Sequence, residues 1–140
     1  MAALLVAATV THAAGDGWLT NFDMALAAAK EQNRHVLVEF HGSDWCPPCI
    51  KLQKEVLATD AFKTFAADRL VLVDIDFPRR TPLADAQRAH NSALAERYGI
   101  EGLPTVILLS PKGEIVARSV GFPEGGLKGF IDFLKRHTGS

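Results

Sequence analysis

Two periodicities divide this chain. Val36-Leu37-Val38-Glu39-Phe40 and Leu70-Val71-Leu72-Val73 are short, nearly continuous apolar runs. Such runs suit strands buried on both faces, and they predict strands over 35–41 and 70–77. Around them apolar residues recur at helical spacing. Phe22, Ala25, Leu26 and Ala29 predict a first helix capped by Thr20 or Asn21. A second helix is predicted to run from Pro47 to about Ala58, and a short third from a Thr59 or Asp60 cap through about Asp68. A fourth covers 83–98 and stops at Gly99, a residue suited to a left-handed cap. Thr105–Leu109 and Glu114–Val120 alternate on either side of Ser110-Pro111-Lys112-Gly113, which reads as a hairpin. Leu127, Phe130, Ile131 and Leu134 make the apolar stripe of a closing helix. Strands alternating with helices, followed by a hairpin, predict an α/β fold with a central mixed sheet covered by helices on both faces.

The 140 residues, 48% of them hydrophobic, are enough for one sizeable core, and no interior linker or repeat divides them. A net charge of -1 gives no electrostatic basis for binding nucleic acid or an anionic membrane surface. The first residues differ in composition: apolar Ala2 to Val10, then Thr11-His12-Ala13-Ala14, then Gly15-Asp16-Gly17. This reads as the hydrophobic region and small-residue cleavage site of a signal peptide over 1–14, leaving 15–140 as the folded domain. It is too short to span a bilayer, and no Lys or Arg precedes it. The expected location is periplasmic or secreted, with a cytoplasmic protein bearing an N-terminal extension as the alternative.

The chemistry is concentrated at Trp45-Cys46-Pro47-Pro48-Cys49, which holds both cysteines of the chain. A structural disulfide closing so short a loop would remove little entropy from the unfolded state, so the pair reads as redox-active. Half of a zinc site is the competing reading. Zinc requires four ligands and there is no second cysteine pair; His35 and His41 would have to complete the set, against the strand-to-helix setting of the motif. Having no other cysteine also suits an oxidising compartment.

From about Trp18 to His137 the chain resembles the thioredoxin superfamily. The likeness rests on Val38-Glu39-Phe40, the Trp45–Cys49 motif, Asp74-Ile75-Asp76, Tyr98 through Thr105, and Gly121. Gly42-Ser43-Asp44-Trp45-Cys46 and Lys54-Glu55-Val56 are more similar to exported bacterial members and to the C-terminal domain of the transmembrane thiol:disulfide interchange reductase. Three departures stand out: a longer loop before Trp45, a longer segment between Asp76 and Tyr98 containing Pro78-Arg79-Arg80-Thr81-Pro82, and Leu72 where thioredoxin carries a buried lysine.

Cys46, at a helix N-terminus that favours a thiolate, is the expected nucleophile. Cys49 shares a stripe with Leu52 and Val56 and is the expected resolving thiol. Pro47 and Pro48 have no N–H to offer the Cys46 sulfur, which predicts a reducing or exchanging site and not a strong oxidant. Glu39 matches the family's buried acid and is expected to take the Cys49 proton, its pKa raised by burial. His41 has the same strand parity and is a secondary candidate base, set against a loop histidine with no catalytic task. The resemblance makes Pro104 a cis-proline facing the disulfide. Leu103 would pair with an extended client through its backbone, and Trp45, Leu103 and Phe122 would form the apolar rim. Trp18 is expected to pack on the first helix. His90, His137 and Arg79-Arg80 read as solvated surface.

Together these readings describe a monomeric thiol:disulfide oxidoreductase acting on protein disulfides, with no bound cofactor and with electrons from an upstream dithiol protein. One alternative is a dedicated reductase for cytochrome c or metalloprotein maturation. Another is a non-catalytic module holding Cu(I) through both thiolates, although Met1 and Met24 lie far from the motif.

Overall fold

The computed structural model describes residues 17–139. The proposed signal peptide therefore lies outside the described residues. Five strands, β1 (Trp18–Leu19), β2 (His35–His41), β3 (Leu70–Asp76), β4 (Thr105–Leu109) and β5 (Ile115–Val120), form one sheet in the order β1-β3-β2-β4-β5. β3 pairs in parallel with both β1 and β2, whereas β2–β4 and β4–β5 are antiparallel, so the sheet is mixed as expected. Among the described residues no helix is long and apolar enough to cross a membrane.

The continuous apolar runs earn their place at the centre. In β2, Val36, Val38 and Phe40 point to one side, and they bury against α1 (Phe22–Gln32) and α4 (Asp85–Arg97) together with Val73, Ile75 and Ile107. Leu37 points to the other side, where Leu52, Val56, Phe62, Phe130 and Leu134 cover it. Those residues come from α2 (Pro47–Leu52) and the turn that follows it, from α3 (Asp60–Ala66), and from α5 (Gly126–Thr138). Strand parity then dictates the rest, because side chains two apart share a face. Glu39 and His41 must follow Leu37 onto the α2 side, and the register sets Asp74 beside Glu39 and Asp76 beside His41. The apolar strands thus turn polar on one face only, at their C-terminal ends.

Local signals set the helix ends. Asn21 accepts the Met24 N–H and Thr59 the Phe62 N–H, the side-chain caps that the sequence offers at those points. Gly99 follows α4 at φ 61°, a conformation that costs glycine little.

Three expectations need correction. The second helix does not stay α-helical: residues Gln53–Leu57 form a π-turn in which the Ala58 N–H reaches back to the Gln53 carbonyl. Side-chain period alone does not register that single shifted bond. Trp18 does not join the cluster of the first helix; it lies in β1, a two-residue strand too short to show a period, and packs with Leu37, Leu52 and Phe62 on the opposite face. His90 is not solvated surface. Its Nε2 accepts the Phe22 N–H at the start of α1, so its proton sits on Nδ1 and is donated to Asn91 Oδ1. Asn91 in turn donates to the Asp76 carbonyl, bolting α4 to the polar end of β3. His137 sits edge-on to the Phe133 ring.

Leu37 is fully buried in the central strand. Leu37→Ala is expected to cost about 2–5 kcal/mol, the usual range for a large-to-small change in a core, read as a lower denaturation midpoint.

Candidate active site

Cys46 is the N-cap of α2, in extended conformation, and Pro47 and Pro48 fill the first two helical positions. Proline is tolerated there because the missing N–H groups have no intrahelical partner in any case. Cys46 and Cys49 are joined in a disulfide with their Cα atoms 5.2 Å apart. Both are buried, Cys46 at 4% exposure and Cys49 at 1%, so Cys49 is the deeper of the two. The Cys46 sulfur lies 3.8 Å from the Leu103 carbonyl oxygen. The Leu103–Pro104 peptide is cis, as the resemblance implied, and the Gly121 N–H donates to the Pro104 carbonyl, drawing the start of the 121–125 loop to the site. Leu103 and Phe122 are half-buried; Phe122 also packs on the core and carries the Lys51 ammonium 4.1 Å from its ring centre.

The loop before Cys46 is tied down from the far side. The Trp45 indole N–H donates to the Phe77 carbonyl at 2.7 Å, and the Arg79 guanidinium stacks 3.5 Å from the ring. Gly42 lies so close beneath that ring that a Cβ there would come within 2.5 Å of it. The Asp44 carboxylate accepts backbone N–H groups from Arg79, Arg80 and Thr81 at 3.0, 2.8 and 2.8 Å. The Arg79 N–H foremost, joined by those of Thr81 and Arg80, holds its pKa down at about 2 against the opposing effect of desolvation. Ser43 adds two hydrogen bonds to the Asp76 carboxylate. Arg79 is exposed, as expected, yet its contact with Trp45 also makes it part of the site's frame. The signal for it was the inserted 78–82 segment; what the sequence did not reveal is that Asp44 would seize its backbone.

Behind Cys49 lies a cavity of about 430 Å³, lined by Glu39, His41, Asp74, Asp76 and Lys54 among others. Glu39 is 2% exposed, and its Oε1 has no hydrogen-bond partner among the described residues. Burial pushes its pKa up to about 7; the His41 charge opposes that rise, and Asp74 and Asp76 add to it. His41 is not a loop histidine: it is the last residue of β2 and is 7% exposed. Its Nε2 is hydrogen-bonded to Asp74 Oδ1, and its Nδ1 stands 3.8 Å from Glu39 Oε1. Burial alone would lower the His41 pKa. The Asp74 hydrogen bond and the charges of Glu39, Asp74 and Asp76 outweigh it and raise the value to about 9. Asp74 and Asp76 were recognised as part of a motif without a role; their shared parity with Leu72 was the signal that placed them here.

A buried Cys-x-x-Cys disulfide at a helix N-terminus, beside a cis-proline and backed by a buried acid, is the site of a thiol:disulfide oxidoreductase. The chain belongs to the thioredoxin-like family: the profile of the thioredoxin-like domain matches residues 22–132. It is 34% identical over 111 residues to the disulfide bond reductase DsbH of Chlamydia pneumoniae, covering 79% of this chain and 66% of that protein. With thiol:disulfide interchange protein DsbD 2 of Pseudomonas aeruginosa it shares 32% identity over 113 residues, 76% of this chain but 18% of that protein. The chain thus spans from about two thirds down to less than a fifth of these two relatives. Among solved structures it is similar to a DsbH oxidoreductase (TM-score 0.79, 31% identity, 85% of this chain and 82% of that one). It also matches a thioredoxin from Thermus thermophilus (TM-score 0.59, 29% identity, 85% and 82%).

Two outcomes follow from this geometry. Asp44→Ala should free the Arg79–Thr81 amides, raising their hydrogen exchange about tenfold while exchange in β2 stays unchanged. His41 at about 9 instead of 6.5 means that the folded state holds an extra proton between those values. That stabilisation is complete below pH 6.5 and is lost as pH rises through 9. The denaturant midpoint should therefore fall across this window, and His41→Gln should flatten the slope.

Proposed function

We propose that this chain reduces or exchanges disulfides in exported proteins, with Cys46 as the attacking thiol and Cys49 as the resolving one. The observation that carries the reading is the asymmetry of the pair: Cys46 lies at the helix start beside the Leu103 carbonyl, and Cys49 lies deeper, over the cavity that holds Glu39. In the reduced protein the Cys46 thiolate attacks one sulfur of a client disulfide. The client S–S bond breaks, its second sulfur leaves with the electron pair, and a mixed disulfide joins Cys46 to the client. Cys49 then gives its proton to the Glu39 carboxylate and attacks the Cys46 sulfur. The Cys46–client bond breaks, the client is released as a dithiol, and the Cys46–Cys49 disulfide remains. An upstream dithiol protein restores the thiols.

Several observations support the direction. The two prolines remove N–H donors from the first turn, so the Cys46 thiolate is stabilised less than in a strongly oxidising site, and the potential is correspondingly lower. The reductase named among the relatives points the same way. Trp45, Leu103 and Phe122 are half-exposed and would form the apolar rim for an extended client, and Pro104, lacking an N–H, would leave the Leu103 backbone as the edge against which that client lies. The apolar segment Ala2 to Val10 and the small residues after it support export. A monomer suffices for this chemistry.

The measurement is the reduction potential of the pair, equilibrated against dithiothreitol or glutathione. The expected value lies near the thioredoxin figure of about -270 mV; one near the DsbA figure of about -120 mV reverses the proposed direction. Cys49→Ser should accumulate client mixed disulfides on Cys46, and Cys46→Ala should leave none.

A further inference from the structure

The cavity behind Cys49 is lined by His41 and Asp74, a hydrogen-bonded pair that the mechanism above does not use. The buried face there is acidic on both central strands: Glu39 from β2, Asp74 and Asp76 from β3. β3 supplies no cation on this side, since Leu70, Leu72, Asp74 and Asp76 share its parity. From the helix side come Cys49, Gln53 and Lys54, and Lys54 is exposed; Trp18 and Ser43 close the rest. The buried cation available to Glu39 is His41, two residues further along the same strand, with Nδ1 3.8 Å from Glu39 Oε1, a buried oxygen with no hydrogen-bond partner among the described residues. The ring is fixed from behind, because its other nitrogen is bonded to Asp74.

We propose that His41, clamped by Asp74, is a positioning residue that holds Glu39 as a carboxylate facing Cys49, so that β2 supplies both the proton acceptor and its counter-charge. This rests on the reading of Glu39 as the acceptor of the Cys49 proton. Two physical arguments support it. An isolated carboxyl in an apolar site stays protonated and cannot accept a proton; a neighbouring cation offsets that penalty. A base works best when it ionises near the operating pH, and Glu39 at about 7 meets that condition with the His41 charge counted in. His41 itself, at about 9, already carries its proton at neutral pH, so it acts through its charge and does not pass a proton on.

The test needs no client. The reduced protein attacks dithiobis-nitrobenzoate through Cys46, releasing one thionitrobenzoate and leaving the other bound to Cys46. Cys49 then loses its proton to Glu39 and attacks the Cys46 sulfur; the Cys46–thionitrobenzoate bond breaks and the second thionitrobenzoate departs as the thiolate. The rate of that second release is followed against pH for the unmodified protein, His41→Gln, Lys54→Gln and Glu39→Gln. The expected result is that His41→Gln moves the half-maximal pH of the second release upward by about one unit, slowing it roughly fivefold near pH 7, with the first release unchanged. Equal slowing of both steps, or an unmoved midpoint, overturns the proposal, as does a shift produced by Lys54→Gln and not by His41→Gln. If Glu39→Gln keeps the unmodified profile, the underlying reading of Glu39 fails instead, which separates the two. Should His41→Gln not fold, nitrogen NMR of the unmodified protein decides: both His41 ring nitrogens protonated near pH 7 is the expected state, and a neutral ring there overturns the proposal.

Discussion

The burial of β2 on both faces is the constraint from which the site follows. A strand with helices above and below, and with β3 and β4 hydrogen-bonded on its two sides, has no freedom to slip, because a one-residue shift would send Leu37 and Val38 to the wrong layers. Fixing that register fixes where Glu39 and His41 emerge. The same register carries Asp74 and Asp76 to their side. The polar pocket is thus a by-product of how the apolar core is locked, and α2 completes it by presenting Cys49 on its inward stripe with Leu52. Stability and reactivity come from alternate residues of one strand.

Around Cys46 the same economy appears in the backbone. Three segments distant in sequence meet there: the α2 start, the cis peptide at Pro104, and the loop after β3. None of them supplies a charged side chain to the sulfur. The charged groups stand one layer back, around Cys49, where low exposure makes each of them count for more than it would in water.

Much of this was legible in the sequence. Continuous apolar runs located β2 and β3, the hairpin signal located β4 and β5, and the Cys-x-x-Cys spacing at a strand-to-helix junction located the chemistry. The Val-Glu-Phe setting of Glu39 in a core strand, with its resemblance to the family's buried acid, was enough to expect a buried carboxyl. What could not be read were features whose cause lies across the fold. The His41–Asp74 bond depends on the pairing of two strands far apart in sequence. The role of His90 depends on α4 landing at the start of α1, and Trp18 sits in a strand too short to leave a pattern. The π-turn at Gln53–Leu57 shifts one hydrogen bond without altering the apolar stripe that announces a helix.

The clasp between Asp44 and the 79–81 backbone makes the loop before Cys46 and the segment after β3 a single mechanical part. Trp45 is held by the Arg79 guanidinium over its ring, by the close approach of Gly42, and at its nitrogen by Phe77, which ties the tryptophan to the loop after β3. A surface assembled before its client arrives loses little freedom on contact, and the ordering cost that usually weakens such encounters is met during folding. On the proposed reading, selectivity at such a rim would lie in its fixed shape, with a client's disulfide adapting to the protein instead of the reverse.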